Sequence, residues 1–429
     1  MPKIQRNRYL DKLIAKKENG LIKVITGIRR CGKSFLLFEL FRDYLLENGV
    51  LPEQIIELAL DDIQNIAYRE PEVLSEYIHS KITSDAMHYI LIDEIQYAIS
   101  KEELKNSENI KLYNVLNGLL RIRNVDIYVT GSNSKMLTKD VLTAFRGRGD
   151  EVKVHPFSFK EYYDYIGGDK SEAYENYALF GGMPLVLFKS SDEEKYDYLR
   201  GLFTETYFKD IVERYKIELP IVLEELTDDL CSSVGSLTNA TKIARTLASV
   251  KSLDVSCNTI SNYLSYLTES FLFENAKRYD VKGKKYFEYP SKYYCTDIGL
   301  RNARLNFRQQ EETHIMENII YNELRSRGYL VDVGVIETRE KDETGKIHTK
   351  QCEIDFIVNK GTKKYYIQSA LDVSNPEKMD KELRPLKNTK DFFKKIIINK
   401  SHAKTWIDDD GIVHLGLYEF LLNESALDF

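Results

Sequence analysis

From residue 21 to about 157, short apolar runs alternate with amphipathic stretches. The runs 21–26, 54–59, 89–92 and 125–130 read as strands, and 33–48 reads as the clearest helix. This alternation predicts a mostly parallel sheet with crossover helices, an α/β fold. From 159 to about 234 the period turns helical and Tyr-rich, broken at Gly181-Gly182-Met183-Pro184. Between 237 and 305, helices near 239–250 and 256–268 precede strand-like runs at 273–279 and 285–295, the order of a winged helix-turn-helix. An α/β pattern resumes from residue 313. The expected division is therefore a core at 1–157, a helical lid and linker at 158–235, a winged helix at 236–308 and a C-terminal α/β domain at 309–429.

Composition narrows the class without naming a task. A chain of 429 residues exceeds one ordinary hydrophobic core. Hydrophobic residues at 43% and charged residues at 30% fit a water-soluble globular protein. No apolar run approaches the roughly 20 residues needed to span a bilayer, so no membrane partner and a cytoplasmic location are expected. The five cysteines are scattered and lack C-x-x-C pairing, which predicts reduced thiols rather than disulfides or zinc. A net charge of −6 gives no overall attraction to nucleic acid, so any such binding must rest on local basic patches.

The strongest chemical signal is Gly27-Ile28-Arg29-Arg30-Cys31-Gly32-Lys33-Ser34, followed by Phe35, at the junction of an apolar strand and an amphipathic helix. In this pattern backbone amides wrap phosphates, Lys33 reaches the β and γ phosphates, and Ser34 binds Mg2+. ATP and Mg2+ are the expected ligands. The run ending in Asp93-Glu94 delivers two carboxylates to the sheet edge where ligands bind. Asp93 is expected to hold the magnesium site and Glu94 to act as general base. Asn133 or Ser132, after the run 125–130, is the candidate to orient water, against an ordinary turn. Arg148, then Arg146, is the candidate arginine finger, with a solvated turn or a nucleic-acid contact as the alternative. Cys31 reads as a small residue tolerated in the loop.

These motifs occur in a recognisable order. Arg8-Tyr9-Leu10, the P-loop, Ile92-Asp93-Glu94-Ile95-Gln96, Thr130-Gly131-Ser132, Gly147-Arg148 and His155-Pro156-Phe157-Ser158-Phe159-Lys160-Glu161 come first. Gly181-Gly182-Met183-Pro184, Tyr207-Phe208-Lys209-Asp210-Ile211 and Arg214-Tyr215 follow. Together they resemble a prokaryotic family of AAA+ ATPases fused to a C-terminal domain of unknown function. The resemblance implies an ASCE-type P-loop NTPase core working as a ring or other homo-oligomer, and it supplies no substrate.

Residues 237–305 carry eleven Lys or Arg against six Asp or Glu, in a chain that is acidic overall. That contrast points to DNA, duplex or branched. Thr259, Ser261, Asn262 and Tyr263 are expected to face outward from a helix capped by Ser256, and Lys282, Lys284 and Lys285 to track phosphates from the wing. A winged helix used for protein contacts, in an ATP-dependent signalling or partner-binding switch, is the competing reading. The region around Glu353-Ile354-Asp355 and Gln368-Ser369-Ala370 resembles the PD-(D/E)XK nuclease fold, a restriction-endonuclease-like α/β domain. Asp355 retains one acid, but Gln368 and Ala370 stand where active members carry an acid and a lysine. The expectation is no cleavage; a weak metal-dependent nuclease, with Lys363 or Lys364 substituting, is the alternative.

Overall fold

The computed structural model describes residues 3–428 except 101, 104–109, 132–147, 342–346, 373–374 and 401–403. The chain forms two compact units, 1–156 with 269–271, and 157–268 with 272–429.

The first unit is built on a five-stranded sheet. β1 (Ile22–Thr26), β2 (Ile55–Ala59), β3 (His88–Asp93), β4 (Val125–Thr130) and β5 (Gly149–Lys153) lie in the order β2-β3-β4-β1-β5. All four pairings are parallel. β1 and β3 are buried at every position, because crossover helices cover both faces, so they read as unbroken apolar runs rather than alternating ones. One core contains Val24, Ile90, Ile92, Ile127 and Val129 with Leu74, Leu112 and Leu116 from the helices. The helical run after β1 begins at Lys33 and passes through a π-helical stretch, Leu36–Phe41, before ending at Glu47. Parallel order brings the C-terminal ends of β1, β3 and β4 to one edge.

The second unit carries a nine-stranded mixed sheet. Its strands are β6 (Leu237–Thr238), β7 (Phe273–Asp280), β8 (Lys285–Cys295), β9 (Leu330–Lys341), β10 (Ile347–Lys360), β11 (Lys363–Ala370), β12 (Lys394–Asn399), β13 (Trp406–Ile407) and β14 (Val413–Gly416). The order is β13-β14-β12-β11-β10-β9-β7-β8-β6. β6 and β7 flank β8 in antiparallel register, and helices Ala240–Lys251 and Cys257–Glu269 connect β6 to β7. β7 also pairs in parallel with β9, Arg278 opposite Val333, so β6 to β8 and the C-terminal strands form one sheet across the boundary expected at 308/309. Backbone pairing between remote strands leaves no composition signal, which is why the sequence suggested two separate pieces. The helical stretch expected as lid and linker supplies Phe159, Tyr162, Tyr174 and Tyr177 to this unit's core, beside Ile320, Phe356 and Ile367.

The Gly181-Gly182 break has a packing cause. A Cβ on Gly181, at φ +72°, would collide with the Asp297 carboxylate, and one on Gly182 with the Phe157 carbonyl oxygen. Among the described residues no helix is long and apolar enough to cross a membrane.

Candidate functional site

The loop between β1 and its helix closes tightly around a lysine. Gly27 holds φ +142° against the Val154 carbonyl, where any Cβ would clash, and Gly32 holds φ +97°. The buried Lys33 ammonium donates to the carbonyls of Gly27 and Ile28, both at 3.0 Å. Ile28 is buried, Arg29 and Phe35 are half-buried, and Arg30 and Ser34 are exposed. Cys31 lies fully inside, and burial pushes its thiol up, the wrong direction for a reactive thiolate.

Behind the loop stands a residue that motif reading missed. The buried Arg6 guanidinium donates to the Cys31 carbonyl at 2.8 Å and to the His155 carbonyl at 2.7 Å, and lies over the Tyr9 ring at 4.6 Å. Tyr9 accepts from the His155 amide at 3.2 Å. Arg6 thus ties the back of the loop to the segment following β5. The only sequence signal was a basic residue just ahead of Arg8-Tyr9-Leu10.

Asp93, at the end of β3, accepts from the Ser34 hydroxyl at 2.7 Å and from the Thr130 hydroxyl. Burial pushes its carboxyl up, opposed by those two hydrogen bonds. Thr130 also accepts from the Glu94 amide at 3.0 Å. Glu94 sits at φ +53°, a left-handed conformation that costs a non-glycine residue about 1 kcal/mol or more, and its carboxylate accepts from the Gln96 side-chain amide. Thr130 holds this position because β4 lies between β1 and β3. Sequence reading passed over it for Ser132 and Asn133, which lie outside the described residues, as does Arg146.

Arg148 is exposed and precedes β5, its carbonyl accepting from the Ile22 amide at 2.8 Å. Ile22 opens β1 and pairs with the first residue of β5, so Arg148 stands at the edge opposite its own loop. Five residues of strand separate the two edges, about 16 Å at a rise of ~3.3 Å per residue.

In the second unit, Ser256 accepts from the Thr259 amide at 3.1 Å, the expected cap. Thr259 and Ser261 are half-buried, with Ser261 donating to the Cys257 carbonyl at 3.0 Å, and Asn262 is exposed. Tyr263, expected outward, is instead buried at 7% exposure, because its position three residues after Ile260 turns it to the same face as Leu264 and Leu267. Lys282, Lys284 and Lys285 lie at the β7–β8 turn and are exposed, and Lys282 donates to the Glu337 carbonyl at 2.6 Å.

Around Asp355 the decisive residue comes from elsewhere. Lys292 of β8 is buried, with its ammonium 2.9 Å from Glu317, 2.7 Å from Glu353 and 3.6 Å from Asp355. Tyr294 donates to Glu317 at 2.8 Å, and the Ser369 amide donates to Asp355 at 2.8 Å. Burial and the Glu317 charge push Asp355 well up, against the pull of Lys292. Gln368 donates to Glu382 at 3.0 Å, and Ala370 packs in the apolar cluster of Ile354 and Leu386. Lys363 pairs with Asp428 at 2.6 Å and Lys364 lies over aromatic rings, so the lysine that reaches Asp355 is neither of these. Lys292 lies too far upstream for any spacing rule to have found it.

The sheet order, the glycine loop and the Ser34–Asp93 contact define a P-loop NTPase of the AAA class, and residues 19–163 match the AAA domain family. Residues 171–311 match a domain of unknown function (DUF8612). The chain is 33% identical over 419 residues, 96% of its length and 97% of the relative's, to an uncharacterized protein of Haemophilus influenzae, and it belongs to that protein's family. An uncharacterized protein of Methanocaldococcus jannaschii is 27% identical over 389 residues, 87% of this chain and 79% of that one. Among solved structures, Cdc6p of Pyrobaculum aerophilum is 11% identical, covering 74% of this chain and 95% of its own, at a TM-score of 0.30. The Aeropyrum pernix ORC1 protein in complex with DNA is 13% identical, covering 71% and 93%, at a TM-score of 0.29.

Proposed function

We propose that this chain is an ATPase that binds ATP with Mg2+ in the loop 27–34, hydrolyses it as a homo-oligomer, and couples turnover to DNA binding or remodelling. The observation that carries the proposal is the convergence of the Ser34 and Thr130 hydroxyls on Asp93 beside Lys33. An oxygen from the loop helix and a carboxylate from the end of β3 fit a hard divalent cation. When bound, Mg2+ would add positive charge beside the β and γ phosphates. Lys33 supplies the chain's own positive charge inside the loop, and Glu94 takes a proton from the attacking water. Thr130 positions both acids, one through its hydroxyl and the other through the Glu94 amide. Arg148 stands at the wrong edge for its own nucleotide, which supports a role toward a neighbouring subunit.

Lys33→Ala is expected to abolish nucleotide binding, whereas Glu94→Gln keeps binding and stops turnover. Parental turnover by Glu94→Gln would overturn the general-base assignment.

The DNA part rests on the basic balance of 237–305 and on the antiparallel β6–β8 strands with their two connecting helices, the order expected of a winged helix. It fails if duplex, single-stranded and four-way DNA all go unbound at about 50 mM salt, conditions that favour phosphate contacts; the protein-contact switch then takes its place. We infer no DNA cleavage, because the Lys292 ammonium already answers the acid cluster and Gln368 and Ala370 replace an acid and a lysine. Magnesium- or manganese-dependent cleavage lost in Asp355→Ala would show the opposite.

A further inference from the structure

Three strands of the second unit bring aromatic rings to one lysine. Lys364 holds its ammonium 5.5 Å from the Tyr279 ring of β7, 5.1 Å from Tyr366 of its own strand and 4.8 Å from Phe393, which leads into β12. Tyr279 meets Tyr286 of β8 edge to face at 5.1 Å, and Tyr366 meets Phe393 at 6.1 Å. The outer rings face water: Tyr286 is 58% exposed, Phe393 44%, and the adjacent Phe392 wholly. A wholly exposed phenylalanine forgoes the stabilisation its burial would bring, and a group of exposed rings marks a contact surface.

Charge selects the partner. Partial burial lowers the Lys364 ammonium, opposed by the charge of Asp391, and Lys284 at the β7–β8 turn lies near enough for its repulsion to add to the fall. Neither lysine forms an ion pair among the described residues. The carboxylates whose charge acts on Lys364, Asp391 and Asp332, each accept a tyrosine hydroxyl, from Tyr366 at 2.6 Å and from Tyr286 at 3.0 Å. A phosphate between the two ammonium groups relieves their repulsion, while an apolar protein surface would only desolvate them. Flat bases fit the open ring faces.

We propose that Tyr286, Phe392 and Phe393, with Lys284 and Lys364, bind single-stranded nucleic acid, bases stacking on the rings and phosphates meeting the lysines. Duplex hides its base faces, so this surface favours unpaired strands. The proposal rests on the nucleic-acid reading of this unit and specifies which form of the ligand it holds and where.

The test uses the full chain and two fluorescein-labelled probes, a dT oligonucleotide of about 12 residues and a duplex of the same length, read by anisotropy at low salt. Phe392→Ala is expected to weaken dT binding about 5-fold or more, the loss of one stacked base. Phe392→Ala combined with Lys364→Ala is expected to weaken it at least about tenfold, with duplex affinity within about twofold and an unchanged melting temperature. Unaltered dT binding in the double variant, or an equal loss for both probes, overturns the stacking surface. Duplex binding by the parent chain with no dT binding sinks this proposal alone. Failure of the parent chain to bind either probe sinks the nucleic-acid reading with it.

Discussion

Lys292 shows how much one side chain can decide. It sits among three carboxylates in a buried pocket, where charges removed from water are tolerable only when paired. Lys292→Met keeps most of the volume but leaves Glu317 and Asp355 facing each other without a cation. A loss of roughly 3–5 kcal/mol is expected, measurable by urea unfolding at neutral pH and partly recovered on acidification, as the raised Asp355 carboxyl takes a proton. A loss below about 1 kcal/mol would mean that the cluster is not paired through Lys292.

Where elements join, the informative residue is Asp297. It caps the helix Ile298–Arg304 by accepting from the Leu300 amide at 3.0 Å, and it holds the Gly181-Gly182 break by accepting from the Gly182 amide at 2.7 Å. Burial pushes its carboxyl from 3.8 up to about 6, although those amides pull it down. Because the folded value lies above the unfolded one, this group's stabilising contribution is full below pH ~4 and is lost as pH rises through about 6. That rise corresponds to about 3 kcal/mol. The Asp297 carboxyl carbon should titrate by NMR with a midpoint near pH 6; a midpoint below pH ~4 would show that the amide bonds outweigh burial.

For the whole molecule, the separation of Arg148 from its own loop by the length of β5 makes a prediction about assembly. If Arg148 completes a neighbour's site, Arg148→Ala and Glu94→Gln are each inactive alone. Mixed assemblies then regain a fraction of turnover, because a junction between the two variants can pair an intact Glu94 with an intact Arg148. Mixing that restores nothing, while nucleotide binding persists in both, removes Arg148 from the reaction.

Much of the first unit was legible in the chain. The strands around β1, β3 and β4 are buried on both faces and so appear as apolar runs, and the loop 27–34 is contiguous, with Gly27 fixed by a backbone angle and a carbonyl that exclude any Cβ. Asp93 and Glu94 were readable because a strand delivers its last residues to the sheet edge whatever its neighbours are. Tyr263 was misjudged because the polar residues around it suggested a solvated face, while its spacing from Ile260 set a buried one.

What the sequence determined by itself was therefore the local chemistry: a phosphate-binding loop, a pair of acids and the α/β alternation that carries them. Tertiary structure decided which remote residues meet that chemistry. The order β2-β3-β4-β1-β5 puts Thr130 beside Asp93 and Glu94, and the β7–β9 pairing makes one sheet of β6 to β8 and the C-terminal strands. The packing of β8 against the helix Glu312–Ser326 brings Lys292 to Glu317. Backbone geometry acts over a few residues and is written in their order, whereas strand order and charge pairing arise only when distant segments share a buried surface.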